Sequence, residues 1–322
     1  MARAWRIEYE GALYHVLSRG NERRDIFLDD DDRTVFLTGL AEAEERFAVD
    51  VFAYVLMDNH YHLLLRTRRA NLSKAMQWLG VSYTTRFNFK QSRSGHLFQG
   101  RFKSMLVEND AYLLQLSYYI HCNPLRAGMV ERLADYRWSS YRAYAYEKKA
   151  PEWLNTEVIL SQLVNAGARH QAYRINAQKY AKEESRHWED LRHGFILGSR
   201  RFVETIKARY LPDAPHAEIP QQKRLAKDVD VEMALSQAAK MLGCDVEEFR
   251  SGGRVSPQRS LERDLLLYLI RQMGVLTDHQ LGVMFGLGNS AVSRRAGIFK
   301  AKLHENKALQ RKLEQLKSKI KT

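Results

Sequence analysis

His60 and His62 flank a tyrosine in the run Met57-Asp58-Asn59-His60-Tyr61-His62-Leu63-Leu64-Leu65. The Asp-Asn pair is turn-forming and an apolar run follows, so the segment predicts a strand entered from a tight hairpin. Residues two apart on a strand share a face. His60, His62 and Leu64 therefore project one way, and Tyr61, Leu63 and Leu65 the other. Two neutral imidazoles on one sheet face make half of a divalent-metal site. Taken alone, the pair reads more simply as two polar residues on an open sheet.

A second segment changes that reading. Asn109-Asp110-Ala111-Tyr112-Leu113-Leu114-Gln115-Leu116-Ser117-Tyr118-Tyr119-Ile120-His121-Cys122-Asn123-Pro124 predicts a helix. Asn109 or Asp110 caps it and Pro124 is expected to stop it. Leu113, Leu116 and Ile120 recur at helical spacing as a core stripe. Tyr112, Gln115, Tyr119 and Asn123 share a more polar stripe, on which Tyr119 and Asn123 are i and i+4 neighbours. A phenol thus stands one turn from an amide oxygen able to serve as a third metal ligand. A residue before proline avoids the α region, which would set Asn123 just off the last turn. Tyr118 faces about 100° away from Tyr119, on a stripe with Cys122, and is expected to pack.

The elements that must position these groups follow from periodicity. Residues 11–19 predict a first strand and Asp29 to Phe47 a helix behind the acidic start Asp29-Asp30-Asp31-Asp32. Val51 to Met57 and His60 to Thr67 predict a hairpin. Asn71 to Phe89 predicts a helix with an apolar stripe of Leu72, Met76, Leu79, Tyr83 and Phe87. Phe98 to Val107 predicts another strand before the tyrosine helix. The order β-α-β-β-α-β-α implies an α+β fold, an antiparallel sheet with helices on one face and the histidines on the other, open face.

At this point the chain resembles the single-tyrosine transposases of the His-hydrophobic-His nuclease superfamily, and most closely the REP-associated tyrosine transposases. The motifs are Tyr14-His15-Val16-Leu17-Ser18-Arg19-Gly20-Asn21, the His60-Tyr61-His62 core, Gly95-His96-Leu97-Phe98-Gln99-Gly100-Arg101-Phe102-Lys103-Ser104, Tyr119-Ile120-His121-Cys122-Asn123-Pro124-Leu125-Arg126-Ala127-Gly128, and Trp138-Ser139-Ser140-Tyr141. They run in the family's order over about residues 5 to 145. Tyr61 departs from the aliphatic residue common at the middle of the triplet. The resemblance implies a ferredoxin-like sheet and a metal-dependent enzyme that cuts single-stranded DNA, in hairpin form. It implies Mg²⁺ or Mn²⁺ held by His60, His62 and Asn123, and Tyr119 as the nucleophile that becomes joined to a 5′ phosphate. The chemistry is coherent: a divalent ion offsets phosphodiester charge, and a phenol with a pKa near 10 needs such help. A tyrosine adduct keeps the energy of the broken bond for rejoining. Two readings compete, a non-catalytic DNA-binding regulator derived from a transposase and a metal phosphodiesterase that uses water.

Composition agrees with a nucleic-acid partner. The 322 residues carry a formal charge of +13, and 45% are hydrophobic, enough for real cores. An anionic membrane surface is the rival polyanion. No long apolar run or signal pattern stands out, which predicts a cytoplasmic, nucleoid-associated protein rather than a membrane protein. The two cysteines, Cys122 and Cys244, have no paired spacing. Arg19, Asn21, Arg23, Arg101 and Lys103 are expected to contact DNA from the histidine face. His15 is expected to be a structural histidine, and His121 has no assigned role. A homodimer is compatible with these features.

Three regions are expected: a nuclease domain over 1–150, a helical connector over 151–225 and a DNA-binding domain over 226–322. Glu157 to Leu163, Ala172 to Arg192 and Arg200 to Tyr210 predict helices. Leu211 to Pro215 and Ile219 to Lys223 predict linkers. Val231 to Leu242 and Ser260 to Met273 predict helices of an all-α module. Leu276 to Gly286, the turn Leu287-Gly288 and the helix opened by Asn289 form a helix-turn-helix pattern. It is loosely similar to the duplex-binding domain of the bacterial replication initiator. Ser290, Ser293, Arg294 and Arg295 are its candidate contacts to duplex DNA. An αα-hairpin without a DNA role is the alternative. From Arg294 onward ten Lys or Arg stand against two Glu.

Overall fold

Alternating apolar residues set four strands in the first third of the chain: β1 (Ala12–Arg19), β2 (Val49–Met57), β3 (His60–Thr67) and β4 (Lys103–Val107). Two helices, α1 (Asp30–Phe47) and α2 (Leu72–Lys90), fill the crossovers, giving the βαββαβ order of a ferredoxin-like unit. The computed structural model describes all residues except 1–4, 109–110, 147–148, 164–167, 183–190, 193–194, 215, 217–218, 227–230, 251–255, 277 and 321–322. Asn109 and Asp110, expected as a helix cap, lie outside the described residues.

The α+β class stands. β1 pairs antiparallel with both β3 and β4, and β2 with β3. With β5 (Leu191–Arg192) and β6 (Ile196–Leu197) the sheet has six strands in the order β2-β3-β1-β4-β6-β5. β6 runs parallel to β4. The register sets His62 opposite Leu17 and Val55, and His60 opposite Arg19 and Met57. On the far side of β1, Leu17 faces Lys103 and His15 faces Met105. Directly paired residues share a face, so His15, Arg19, His60, His62 and Lys103 all project from the same side.

The opposite side is the aromatic core under α1 and α2. Tyr61 is buried there, its ring 4.7 Å from Phe36, which meets Tyr83 at 5.2 Å. Burying each such ring contributes about 1.5–3 kcal/mol. The histidine face differs from expectation in one respect. α3 (Ala111–Arg126) packs on it, because its stripe Leu113, Leu116 and Ile120 needs an apolar floor and finds Leu13, Ala53, Val55 and Leu64.

Residues expected as connector extend this core. From that region α5 (Glu157–Leu160) and α6 (Arg169–Lys182) add Ile159, Tyr173, Ala177 and Tyr180, alongside Tyr141 and Tyr144 of α4 (Tyr141–Ala145). The compact unit accordingly comprises Arg6–Leu191 and Phe195–Phe202. Several boundaries move. β4 begins at Lys103 rather than Phe98, because Gly100 takes a left-handed φ of 97° that interrupts the strand. The helix expected to reach Arg192 ends at Lys182 in the described residues, and Arg192 is in β5.

The second unit contains Val203–Thr322 and is helical. After α7 (Arg200–Tyr210) come α8 (Pro220–Ala226), α9 (Val231–Leu242), α10 (Glu247–Arg250), α11 (Pro257–Met273), α12 (Asp278–Met284), α13 (Asn289–Glu305) and α14 (Lys307–Lys319). α8 replaces the linker expected over 219–223, since Pro220 has the φ a first helical residue needs. α12 and α13 are the two helices of the expected pattern. Gly286, at φ 62°, makes the turn, and Leu281, Phe285, Val292, Ala296 and Phe299 form the core against α11.

Candidate active site

Strand β3 delivers His60 and His62 to one face at a ring separation of 5.2 Å. Each has its Nδ1 engaged. For His60 the roles are fixed by chemistry. Asn59 donates Nδ2–H to the Arg23 carbonyl at 3.1 Å, so its Oδ1 faces His60 Nδ1 at 2.7 Å. An amide oxygen only accepts, so His60 Nδ1 carries the proton and Nε2 keeps its lone pair. His62 Nδ1 lies 2.9 Å from His15 Nε2, with the two rings stacked at 20°.

Burial keeps these rings neutral. It pushes His60 down to about 4, helped by the Arg19 charge and opposed by Asp58. It holds His62 well below the usual imidazole range, with His15, His60 and Arg19 adding to the effect. A metal ligand must be deprotonated, and both rings meet that condition at neutral pH.

α3 brings Tyr119 over the pair. Its ring stands 5.8 Å from that of His62 and 5.7 Å from that of His15, edge-on to both. Burial raises its phenol pKa, and Arg126 counters it, its guanidinium 6.0 Å from the ring centre. Tyr118 turns away into the core, 3% exposed, against Tyr173 and Tyr180. Pro124 does not stop the helix, which runs on to Arg126. A proline nitrogen cannot donate to the Ile120 carbonyl. Asn123 supplies the missing donor, its Nδ2 reaching the carbonyls of Tyr119 at 2.8 Å and Ile120 at 3.3 Å. That orientation leaves Oδ1 as the end of the amide that can meet a cation. Two neutral imidazoles and an amide oxygen form a donor set suited to a divalent ion.

Residues 8–123 match the family model described as Transposase IS200 like.

That segment holds most of the motifs on which the resemblance to transposases was read. No curated protein matches the chain. Among solved structures, one titled "Structure of the REP associates tyrosine transposase bound to a REP hairpin" is 16% identical. It covers 47% of this chain and 89% of its own, with a TM-score of 0.40.

Within the matched segment the candidate DNA contacts fall at three places. Arg19 and Lys103 are exposed on the histidine face. Asn21 and Arg23 occupy the turn after β1, also exposed, with Arg23 at a left-handed φ of 62°. Gly20 is required there: a Cβ would lie 2.0 Å from the Arg24 carbonyl oxygen. Arg101 is exposed between Gly100 and β4. In the second unit Ser290, Ser293 and Arg294 are exposed on α13. Arg295 is set apart from them by an ion pair with Asp264 at 3.0 Å.

His15, read from sequence as structural with a place near the metal as the alternative, and Arg126, given no role, both lie at the site. His15 reaches the site because its register places it on the histidine face, a position the alternation of β1 encodes. Arg126 continues the Tyr119, Asn123 stripe at i+7. Asp29, Asp31 and Asp32 also cluster as potential ligands, but Lys90 occupies them at 2.9, 2.9 and 3.0 Å. No helix among the described residues is long and apolar enough to cross a membrane.

Proposed function

We propose that this chain is a divalent-metal-dependent endonuclease and strand transferase for single-stranded DNA, a transposase acting through a covalent 5′-phosphotyrosine. The observation that carries the reading is the Tyr119 ring in edge contact with His62, whose strand also presents His60. The match of residues 8–123 to IS200-like transposases supports it.

In this reading the Tyr119 Oη attacks the scissile phosphorus. The new bond joins phosphorus to the tyrosine oxygen, and the bond from phosphorus to the 3′ oxygen breaks. The phenol proton passes to solvent, and the departing 3′ oxygen takes one up. His60, His62 and Asn123 would hold Mg²⁺ or Mn²⁺, which when bound would supply positive charge to offset that of the phosphate. Arg126 opposes the burial that keeps the phenol protonated. Arg19 and Lys103, exposed on the same face, neutralise flanking phosphates. The adduct stores the broken bond's energy, so a second 3′ hydroxyl can displace Tyr119 and restore a phosphodiester. A hairpin substrate follows from the resemblance to REP-associated transposases. Duplex DNA is assigned to α13 through Ser290, Ser293 and Arg294, which sit at the start of the second helix of a helix-turn-helix pair.

The test is incubation with a labelled single-stranded hairpin and Mn²⁺, followed by denaturing electrophoresis. A protein–DNA adduct is expected, absent with chelator and absent in Tyr119→Phe while DNA binding persists. Cleavage without an adduct, unchanged in Tyr119→Phe, would move the chemistry to a water nucleophile. Binding without cleavage would leave a DNA-binding regulator.

A further inference from the structure

His62 has a partner that decides whether it can bind a cation at all. Its Nδ1 is 2.9 Å from His15 Nε2, and His15 is 1% exposed. One proton lies between the two nitrogens. If His15 donates it, His62 carries its own proton on Nε2 and offers no lone pair to a metal. If His62 donates it, Nε2 is open. Which ring nitrogen is protonated is set by the hydrogen bond the other makes, and a free imidazole side chain in water favours the Nε2–H form. A buried acceptor for Nδ1–H is therefore needed to hold the open form.

We propose that His15 is that acceptor, a positioning residue that fixes His62 in the tautomer with Nε2 presented to a divalent cation. The inference rests on the metal-site reading above. Asn59 plays the matching part for His60, where the amide chemistry leaves no ambiguity. The two Nδ1 partners come from different places, the hairpin turn for His60 and the neighbouring strand β1 for His62. Burial keeps water from competing for His62 Nδ1, so the protein sets the tautomer. The near-parallel stacking of the rings, at 20°, also fixes the His62 ring plane. The His15 ring also packs edge-on to that of Tyr119, with ring centres 5.7 Å apart, so one side chain adjoins both a candidate ligand and the candidate nucleophile.

The experiment uses the full chain and Mn²⁺ alone, without DNA. Mn²⁺ affinity is measured by titration calorimetry for the parent, His15→Leu, His15→Gln, His60→Ala and His62→Ala. His15→Leu removes the acceptor and is expected to weaken Mn²⁺ about 10–100-fold, the usual effect of losing such a partner. His15→Gln keeps an acceptor and is expected to fall between the parent and the leucine variant. Near-parental Mn²⁺ affinity in folded His15→Leu, with His62→Ala impaired, overturns this inference and spares the metal site. Undiminished affinity in His60→Ala and His62→Ala overturns the metal-site reading itself. Nitrogen-15 NMR of the parent labelled at histidine gives a second measurement, independent of whether any variant folds. A His62 spectrum with Nδ1 protonated is expected, and an Nε2-protonated His62 overturns the proposal.

Discussion

Asn123 folds its side-chain amide back onto the helix that carries Tyr119, donating to the Tyr119 carbonyl at 2.8 Å and to the Ile120 carbonyl at 3.3 Å. Pro124 makes that second donor necessary, because α3 continues through it to Arg126. One amide thereby repairs the helix with its nitrogen and keeps its oxygen for a ligand. Asn123→Ala is expected to lose both. Thermal unfolding should show a loss of about 1 kcal/mol, and calorimetry a fall in Mn²⁺ affinity of about tenfold. An Asn123→Ala protein with parental Mn²⁺ affinity would remove Asn123 from the ligand set.

Arg126 tests the nucleophile's environment. It is exposed, and its charge opposes burial at the Tyr119 phenol. Arg126→Gln should raise the phenol pKa further. Adduct formation at neutral pH is expected to slow about tenfold, the effect of a rise of about one pKa unit in the nucleophile. The rate should recover as pH rises, whereas Arg126→Lys should stay closer to parental. A rate independent of the side chain at 126 would assign the arginine to packing on Tyr180, whose ring lies 4.9 Å from its guanidinium.

His121 makes stability fall in acid. It is buried between Tyr173 Oη at 2.8 Å and Ser140 Oγ at 2.6 Å, and burial pushes its pKa from 6.5 down to about 3. The unfolded chain binds the proton first as pH falls. Its contribution is complete above pH 6.5 and is lost progressively between 6.5 and about 3, at about 1.4 kcal/mol per pH unit. His121→Asn should unfold more readily at neutral pH but show a shallower loss between those limits. Equal acid slopes for parent and variant would show that other groups govern acid unfolding.

Arg294 and Arg295 are adjacent in sequence and differ in surroundings. Arg294 is exposed, whereas Arg295 is ion-paired with Asp264 of α11. Arg294→Ala is expected to weaken duplex binding and reduce the salt slope by about one unit. Arg295→Ala is expected to lower the melting temperature of the second unit with a smaller change in salt slope. Similar salt dependence for both variants would return Arg295 to the DNA-facing set.

Period-two alternation made β1 and β3 legible, and with them the shared face of His60 and His62. Helical spacing separated Tyr119 from Tyr118 in the same way. His15 was not legible as a partner of His62, because cross-strand register depends on how β1 pairs, which a single strand's pattern does not state. The position of α3 was missed for a related reason. Its apolar stripe predicts burial but does not say against which face. Pro124 misled because the rule that proline ends helices assumes nothing replaces the lost donor, and Asn123 replaces it. The ion pair of Arg295 was not legible, because its partner Asp264 lies 31 residues away in the chain.

Strand β6 and helix α6 arise well beyond residue 123, where the IS200-like match ends, yet one extends the sheet and the other walls in Tyr118 and His121. The matched span is therefore shorter than the compact unit that contains it. A fragment cut at residue 123 would carry every candidate ligand and the nucleophile, and lack Tyr173 and Tyr180, which pack behind Tyr118 and His121.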